Sequence, residues 1–164
     1  MTTTAWVCPG QGSQSIAMLA DLAASYPIIE ATFVEASAAL GKDLWALAQN
    51  GPEAGMNATE NTQPLLLVAG IAIWRAWQQA GGPAPAYLAG HSLGEYTALV
   101  AAEVISLADG VRLVAERGRL MQDAVPAGEG AMAAILGLDN DQVIAACNIT
   151  YILNTFKYFF SLIK

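Results

Sequence analysis

The sequence predicts an α/β domain built around a central parallel sheet, and three observations carry that reading. Short apolar runs alternate with longer helical ones in the order strand, loop, helices, strand, sharp turn, helix. A glycine-flanked serine, Gly90-His91-Ser92-Leu93-Gly94, follows directly on the apolar run Tyr87 to Ala89, which is the layout of a strand-to-helix turn. The 164 residues are 55% hydrophobic and only 13% charged, enough apolar material for one domain to bury a sizeable core.

Taken in order, Ala5 to Cys8 reads as a buried strand that stops at Pro9 and Gly10, and Gly10 to Gln14 forms the loop behind it. Apolar residues at helical spacing run through Ile16 to Ala24, Ile28 to Leu40 and Leu44 to Ala48. The segment Gly51 to Asn61 is rich in turn formers and is expected as a loop. Pro64 is placed in the first turn of the next helix, where a missing N–H is tolerated, and that helix ends near Gly81 and Gly82. Its apolar run, Leu65 to Trp74, is halted by Arg75 and is too short to span a bilayer, so it reads as a buried helix. Pro83 and Pro85 break the chain before the strand at Tyr87; the helix after the turn ends near Glu103, and Ser106 to Gln122 forms the next. Beyond Gly128 and Gly130, Ala131 to Leu136 is expected as a strand and Asp139 to Cys147 as the opening of a helix, so a second unit begins there.

Charge and cysteine usage exclude several function classes. A net charge of -7 with seven Lys and Arg leaves no basic patch for phosphates, so no nucleic-acid partner and no attachment to an anionic membrane is expected. Cys8 and Cys147 lie far apart without metal-ligand spacing, and with one histidine in the chain no metal site is expected. Reduced structural thiols and a cytoplasmic location follow. Met1 to Val7 carries no positive segment leading into an apolar one, so no secretory signal is expected.

The chemistry-bearing residue is Ser92. Between two glycines behind a short strand, a serine hydroxyl projects from a tight turn while backbone N–H groups face the carbonyl it would attack. The same residues also spell a capping box: Ser92, followed three positions later by Glu95, would simply start a helix. A nucleophilic serine needs a base within hydrogen-bond reach. The single histidine, His91, adjoins Ser92, and adjacent side chains leave such a turn in divergent directions, so the general base is absent from this chain.

A second residue stands out on the helix from Ser106, which Ser106 and Asp109 cap. Asp109, Arg112, Glu116, Arg119 and Asp123 recur at spacings of three and four and form one solvated stripe. Arg117 lies off it, one turn from Leu113, Val114, Leu120 and Met121, so its guanidinium is expected to enter a cleft or the core and to need an anion there. An internal ion pair with Asp or Glu, or snorkelling to the surface, would also satisfy it. Beside an acyl-enzyme serine, Arg117 would instead select acyl groups bearing a carboxylate. The Gly10 to Gln14 loop lacks the glycine pattern of a dinucleotide site and the Gly-Lys-Ser/Thr of a P-loop. Its better use is to bring the Gln11 N–H towards Ser92, beside the Leu93 N–H, as an oxyanion hole.

From Asn148 to Lys164 the composition changes abruptly: no Ala, Gly, Pro, Asp or Glu, but abundant Ile, Asn, Tyr, Phe and Lys. All these residue types have AT-rich codons available, whereas the body is dense in Ala, Gly and Pro. The tail is therefore expected to derive from a shifted or foreign reading frame. Sequencing the gene past codon 147 in three frames checks this; a natural junction with no alternative frame continuing the domain would refute it. Tyr158 to Ile163, with neither acidic nor proline gatekeepers, is an aggregation hazard.

Five segments together resemble the malonyl-CoA:acyl carrier protein transacylases of type II fatty acid synthesis: Pro9-Gly10-Gln11-Gly12-Ser13-Gln14, Thr62-Gln63-Pro64, Gly90-His91-Ser92-Leu93-Gly94-Glu95-Tyr96, Glu116-Arg117-Gly118 and Gly130-Ala131-Met132-Ala133-Ala134. The resemblance covers Met1 to about Cys147. It implies an incomplete α/β hydrolase-like parallel sheet with flanking helices over 1–129, the start of a ferredoxin-like small subdomain over 130–147, and an unrelated tail over 148–164. It implies ping-pong acyl transfer: Ser92 attacks the malonyl-CoA thioester, the N–H groups of Gln11 and Leu93 hold the oxyanion, Arg117 pairs with the malonyl carboxylate, and acyl carrier protein collects the group. Malonyl-CoA is a substrate, and no cofactor is implied. The family's base is a histidine from the second half, which has no counterpart here, so little or no turnover is expected of this chain alone.

Two other readings stand beside it. A truncated, non-catalytic fragment or a module binding CoA or acyl carrier protein would use the same surface without chemistry. A serine esterase would want an Asp, a late His and an H-G-G-G type loop, with no carboxylate-binding arginine.

Overall fold

The computed structural model describes residues 3–124, 130–133, 137–139, 141–145 and 157–160. The chain divides into two compact units, Met1–Arg119 and Leu120–Lys164. The first opens with β1 (Ala5–Cys8), followed by α1 (Ala20–Ser25), α2 (Ile28–Leu40), α3 (Leu44–Asn50), α4 (Glu53–Asn57) and α5 (Thr59–Gln79). It continues through β2 (Tyr87–Gly90), α6 (Leu93–Ala101) and α7, whose span Leu107–Asp123 runs into the second unit.

The α/β reading holds: β1 and β2 pair in parallel, in a register that sets Ala5 opposite Tyr87 and Cys8 opposite Gly90. The ends of both strands therefore meet at one edge, where the chain turns into its loops. Helix α5 is the spine of the core. Its residues Leu65, Leu67, Val68, Ile71 and Ala72 are buried among Ile29 and Phe33 of α2, Leu44 of α3, Leu93 and Val100 of α6, and Val111 and Val114 of α7. The expected buried helix over Leu65 to Trp74 lies within it.

Four expectations are corrected. The strand Ala5–Cys8 is not buried throughout: Cys8 is buried, but Val7 is 70% exposed, as is Tyr87 opposite Ala5 at 66%. Alternation explains it, because Trp6 and Cys8 face the helices, Trp6 meeting Trp74 edge-on at 5.2 Å, while Ala5 and Val7 face away. A parallel sheet is normally covered on both faces, and within this two-stranded sheet one face is covered. Second, the helix expected from Ile16 begins at Ala20, after Ala17 and Leu19 adopt left-handed backbone angles of 62° and 65°.

Third, Gly51 to Asn61 is not a loop but holds α4 and the start of α5. Its Asn61, which reads as a turn former, and the adjoining Thr62 bond backbone instead: Asn61 Nδ2 donates to the Gly55 carbonyl at 2.8 Å, and Thr62 Oγ1 to the Met56 carbonyl at 2.6 Å. Fourth, because α5 starts at Thr59, Pro64 falls in its second turn rather than its first, where its ring leaves the Glu60 carbonyl without an intrahelical donor. The remaining helices follow their expected spans closely, and Ser106 Oγ accepts from the Asp109 N–H at 3.0 Å as the cap of α7.

In the second unit, β3 (Gly130–Ala133) pairs in parallel with β4 (Lys157–Phe160). The strand expected over Ala131 to Leu136 is thus present up to Ala133, and 134–136 lie outside the described residues. Asp139 and Gln142 exchange reciprocal bonds, the Gln142 N–H to Asp139 Oδ1 at 2.9 Å and the Asp139 N–H to Gln142 Oε1 at 3.0 Å. They open the helical segment 141–145; the rest of that expected helix, 146–147, is outside the described residues. No helix among the described residues is long and apolar enough to cross a membrane.

Candidate active site

Ser92 stands at the tip of the turn between β2 and α6, with φ 54° and ψ -112°. That backbone state costs a non-glycine residue about 1–3 kcal/mol and persists only where the surroundings enforce it. They do so through the two glycines. A Cβ at Gly90 would lie 2.0 Å from the Gly94 carbonyl carbon and 2.4 Å from the Glu95 nitrogen, and one at Gly94 would lie 2.1 Å from the Cys8 oxygen. The first glycine lets the strand end fold back on its own helix, and the second lets that helix dock on the end of β1. The turn is further pinned by the His91 N–H to the Cys8 carbonyl at 3.3 Å and the Gly94 N–H to the His91 carbonyl at 2.8 Å.

The capping-box reading of Ser92 is overturned. Ser92 occupies the position before α6 but makes no side-chain cap bond, and its hydroxyl is exposed. Instead Ser92 Oγ accepts a hydrogen bond from Arg117 Nη2 at 3.0 Å. The strained angles turn the oxygen away from the first-turn N–H groups and towards α7.

Arg117 is half-buried, reaches inward from α7 as its place off the charged stripe predicted, and donates through Nη1 to Gln63 Oε1 at 2.8 Å. Its guanidinium carbon lies 5.6 Å from the centre of the Tyr96 ring. The alternative of an internal ion pair is corrected: among the described residues the ion pairs are Arg75–Glu35, Arg112–Asp109 and Arg119–Glu116. Glu116, next to it in sequence, is engaged twice by Arg119, at 2.6 and 2.9 Å, and that hydrogen bonding holds its carboxyl below its ordinary pKa. The stripe satisfies itself and leaves Arg117 to neutral partners.

Leu93 begins α6, so its N–H belongs to the first-turn donors that a helix cannot satisfy internally. Gln11 is exposed in the loop after β1, and that loop runs against the turn: a Cβ at Gly10 would sit 3.3 Å from both the ring Nδ1 and the carbonyl oxygen of His91. Gln14 steadies the loop, accepting from the Gly12 N–H at 3.0 Å and donating to Asn57 Oδ1 of α4 at 2.9 Å. Cys8, opposite Gly90, offers no rival nucleophile. Burial pushes its thiol pKa up, outweighing a hydrogen bond with Trp6, so it stays protonated near neutrality. A groove of about 450 Å³ runs along β2 and α6 past Leu88, Ala98 and Leu99, but neither Ser92 nor Arg117 lines it.

The structure thus brings together Ser92 and Arg117, and adds two residues that sequence reasoning gave no role, Gln63 and Tyr96. Gln63 had a signal: a polar residue leading the apolar run of a buried helix must be bonded inside, and it is fully buried.

The acyl transferase domain family matches residues 5–151. The chain belongs to that family. The chain is 65% identical over 147 residues to the malonyl CoA-acyl carrier protein transacylase of Escherichia coli K12, covering 90% of itself and 48% of that relative. It superposes on the crystal structure of FabD from Acinetobacter baumannii with a TM-score of 0.85 at 61% identity, over 93% of this chain and 48% of that one. A malonyl-transacylase solved in complex with a type II polyketide acyl-carrier protein matches with a TM-score of 0.84 at 58% identity, again over 90% and 48%. The chain therefore spans about half the length of the relatives it matches. Their fold bears out the incomplete α/β hydrolase-like reading.

Proposed function

We propose that this chain carries the nucleophile and carboxylate-recognition half of a malonyl-CoA:acyl carrier protein transacylase. Ser92 Oγ attacks the malonyl-CoA thioester carbonyl, its proton passes to a base, and the carbon–sulfur bond breaks to release the CoA thiol. The thiol of acyl carrier protein then attacks the malonyl-serine ester and frees Ser92. The N–H groups of Gln11 and Leu93 hold the oxyanion in both steps, and the chemistry needs neither metal nor cofactor. One observation carries the reading: Arg117 Nη2 lies 3.0 Å from Ser92 Oγ, on a guanidinium whose described partners are all neutral. A carboxylate two bonds beyond the acyl carbon falls within its reach, whereas an esterase has no use for a cation there.

The base lies outside residues 1–147, in the portion of the relatives that this chain does not match. Residues 1–129 supply the large subdomain, 130–147 begin the small one, and 148–164 are foreign to both, although the family match runs four residues into that last segment, to residue 151. A cytoplasmic location goes with this reading, supported by the free, buried thiol of Cys8.

Intact-mass measurement after prolonged exposure to malonyl-CoA tests it. One slow malonyl adduct is expected on the wild-type chain and none on Ser92→Ala. Steady-state transfer to acyl carrier protein is expected to fall roughly four to six orders of magnitude short of a complete enzyme, as loss of a triad member does. No adduct would favour an inert fragment or a binding module, and transfer near full-length rates would refute the missing base.

A further inference from the structure

We propose that Gln63 is the positioning residue that makes Arg117 selective for acyl groups bearing a carboxylate, because it anchors the guanidinium through a neutral acceptor and leaves its charge uncompensated. The proposal rests on the reading of Ser92 as the acyl acceptor. A partly buried arginine ordinarily settles against a carboxylate, which fixes it and cancels its field together. Here the two effects are separated. Gln63 Oε1 fixes Nη1 at 2.8 Å from a fully buried side chain, and the guanidinium's other two contacts among the described residues, the Tyr96 ring and the Ser92 hydroxyl, are also uncharged.

The scaffold around this contact is built for close approach. Gly118 follows Arg117, and a Cβ there would lie 2.6 Å from the Thr59 oxygen and 2.7 Å from the Glu60 Cα, so α7 crosses directly on the first turn of α5. That turn is held in turn by Thr62 Oγ1, bonded to the carbonyls of Met56 at 2.6 Å and Ala58 at 3.1 Å. Gln63 therefore presents its amide from a fixed turn to a helix that glycine has brought within reach. A glutamate of equal length would hold Arg117 as well but would neutralise it; a leucine would leave it charged but unheld.

Calorimetric titration of the 164-residue chain with malonyl-CoA and acetyl-CoA tests this on wild type, Gln63→Glu and Gln63→Leu. Wild type is expected to prefer malonyl-CoA. Gln63→Glu is expected to lose roughly a hundredfold in malonyl-CoA affinity, with acetyl-CoA binding unchanged within about threefold, and Gln63→Leu is expected to fall between them. A purely structural glutamine predicts the contrary: equal losses for both thioesters, with leucine at least as damaging as glutamate. Gln63→Glu retaining the wild-type preference would overturn the proposal while leaving Ser92 and Arg117 in their roles. Wild type unable to distinguish the thioesters would bring down the Arg117 reading itself, and this proposal with it. If Gln63→Glu does not fold, Gln63→Leu decides, since its loss must then fall on malonyl-CoA alone.

Discussion

Arg117→Ala is expected to cut malonyl loading of Ser92 by roughly thirty- to several thousand-fold while leaving its reaction with an uncharged activated ester within a few-fold of wild type. On the proposed reading the variant removes the cation that would meet the acyl carboxylate, and it removes the donor now bonded to Ser92 Oγ at 3.0 Å. Truncating one partner of a hydrogen-bonded charge pair in a partly desolvated site costs about 2–5 kcal/mol, a loss of roughly thirty- to several thousand-fold. An uncharged ester offers that cation no carboxylate, so its rate reports only the nucleophile and the loss of its Arg117 bond. Arg117→Lys should recover only part of the loss, because a single ammonium cannot span Gln63 and Ser92 as the planar fork does. Mass spectrometry of the adduct and release of a chromogenic alcohol give the two readouts. Equal loss in both would show that Arg117 supports the fold and not the choice of acyl group.

Gly94→Ala is expected to be among the most damaging single methyls that can be added to the first unit. Its Cβ would stand 2.1 Å from the Cys8 oxygen and 2.7 Å from the Pro9 oxygen, and both are backbone atoms that no rotamer change can move aside. Overpacking ordinarily costs 1–3 kcal/mol where side chains can yield. Here either α6 leaves the end of β1 or the strand shifts, so a loss of at least about 3 kcal/mol is expected, roughly 10 °C in melting temperature for a chain of this size. Gly55→Ala is the control. Its Cβ would meet the Pro52 and Leu47 side chains at 3.5–3.6 Å, ordinary contact, within helix α4, and should be neutral or slightly stabilising. Thermal melts followed by circular dichroism compare them; indistinguishable melts would show that the strand and helix are not held as closely as the geometry requires.

What could be read in advance follows from how local each signal is. The helices of Ile28–Leu40 and Leu107–Asp123 were legible because an amphipathic face repeats within a few turns, and the strand-turn-helix at Ser92 because glycines are needed at fixed offsets. Helix α4 and the early start of α5 were hidden because Asn61 and Thr62 look like turn residues until their carbonyl partners, six positions back, are seen. Pro64 deepened the error, since it marks a first turn in most sequences. The exposure of Val7 was hidden because an apolar strand reads alike whether one face of its sheet is covered or both.

The amino-acid order by itself determined that a serine hydroxyl would stand at a glycine-framed turn, that one arginine would leave its helix apart from the charged stripe, and that no second histidine was at hand. Only the tertiary structure decided that these meet, across 25 residues of sequence, and that Ser92 bonds Arg117 instead of capping its own helix. It alone chose an amide over a carboxylate as the cation's anchor, because such a choice depends on the distance between α5 and α7. Periodicity records which face of a helix is apolar; how near two helices approach is set by the packing of glycines and side chains from distant segments, which no single stretch of sequence contains.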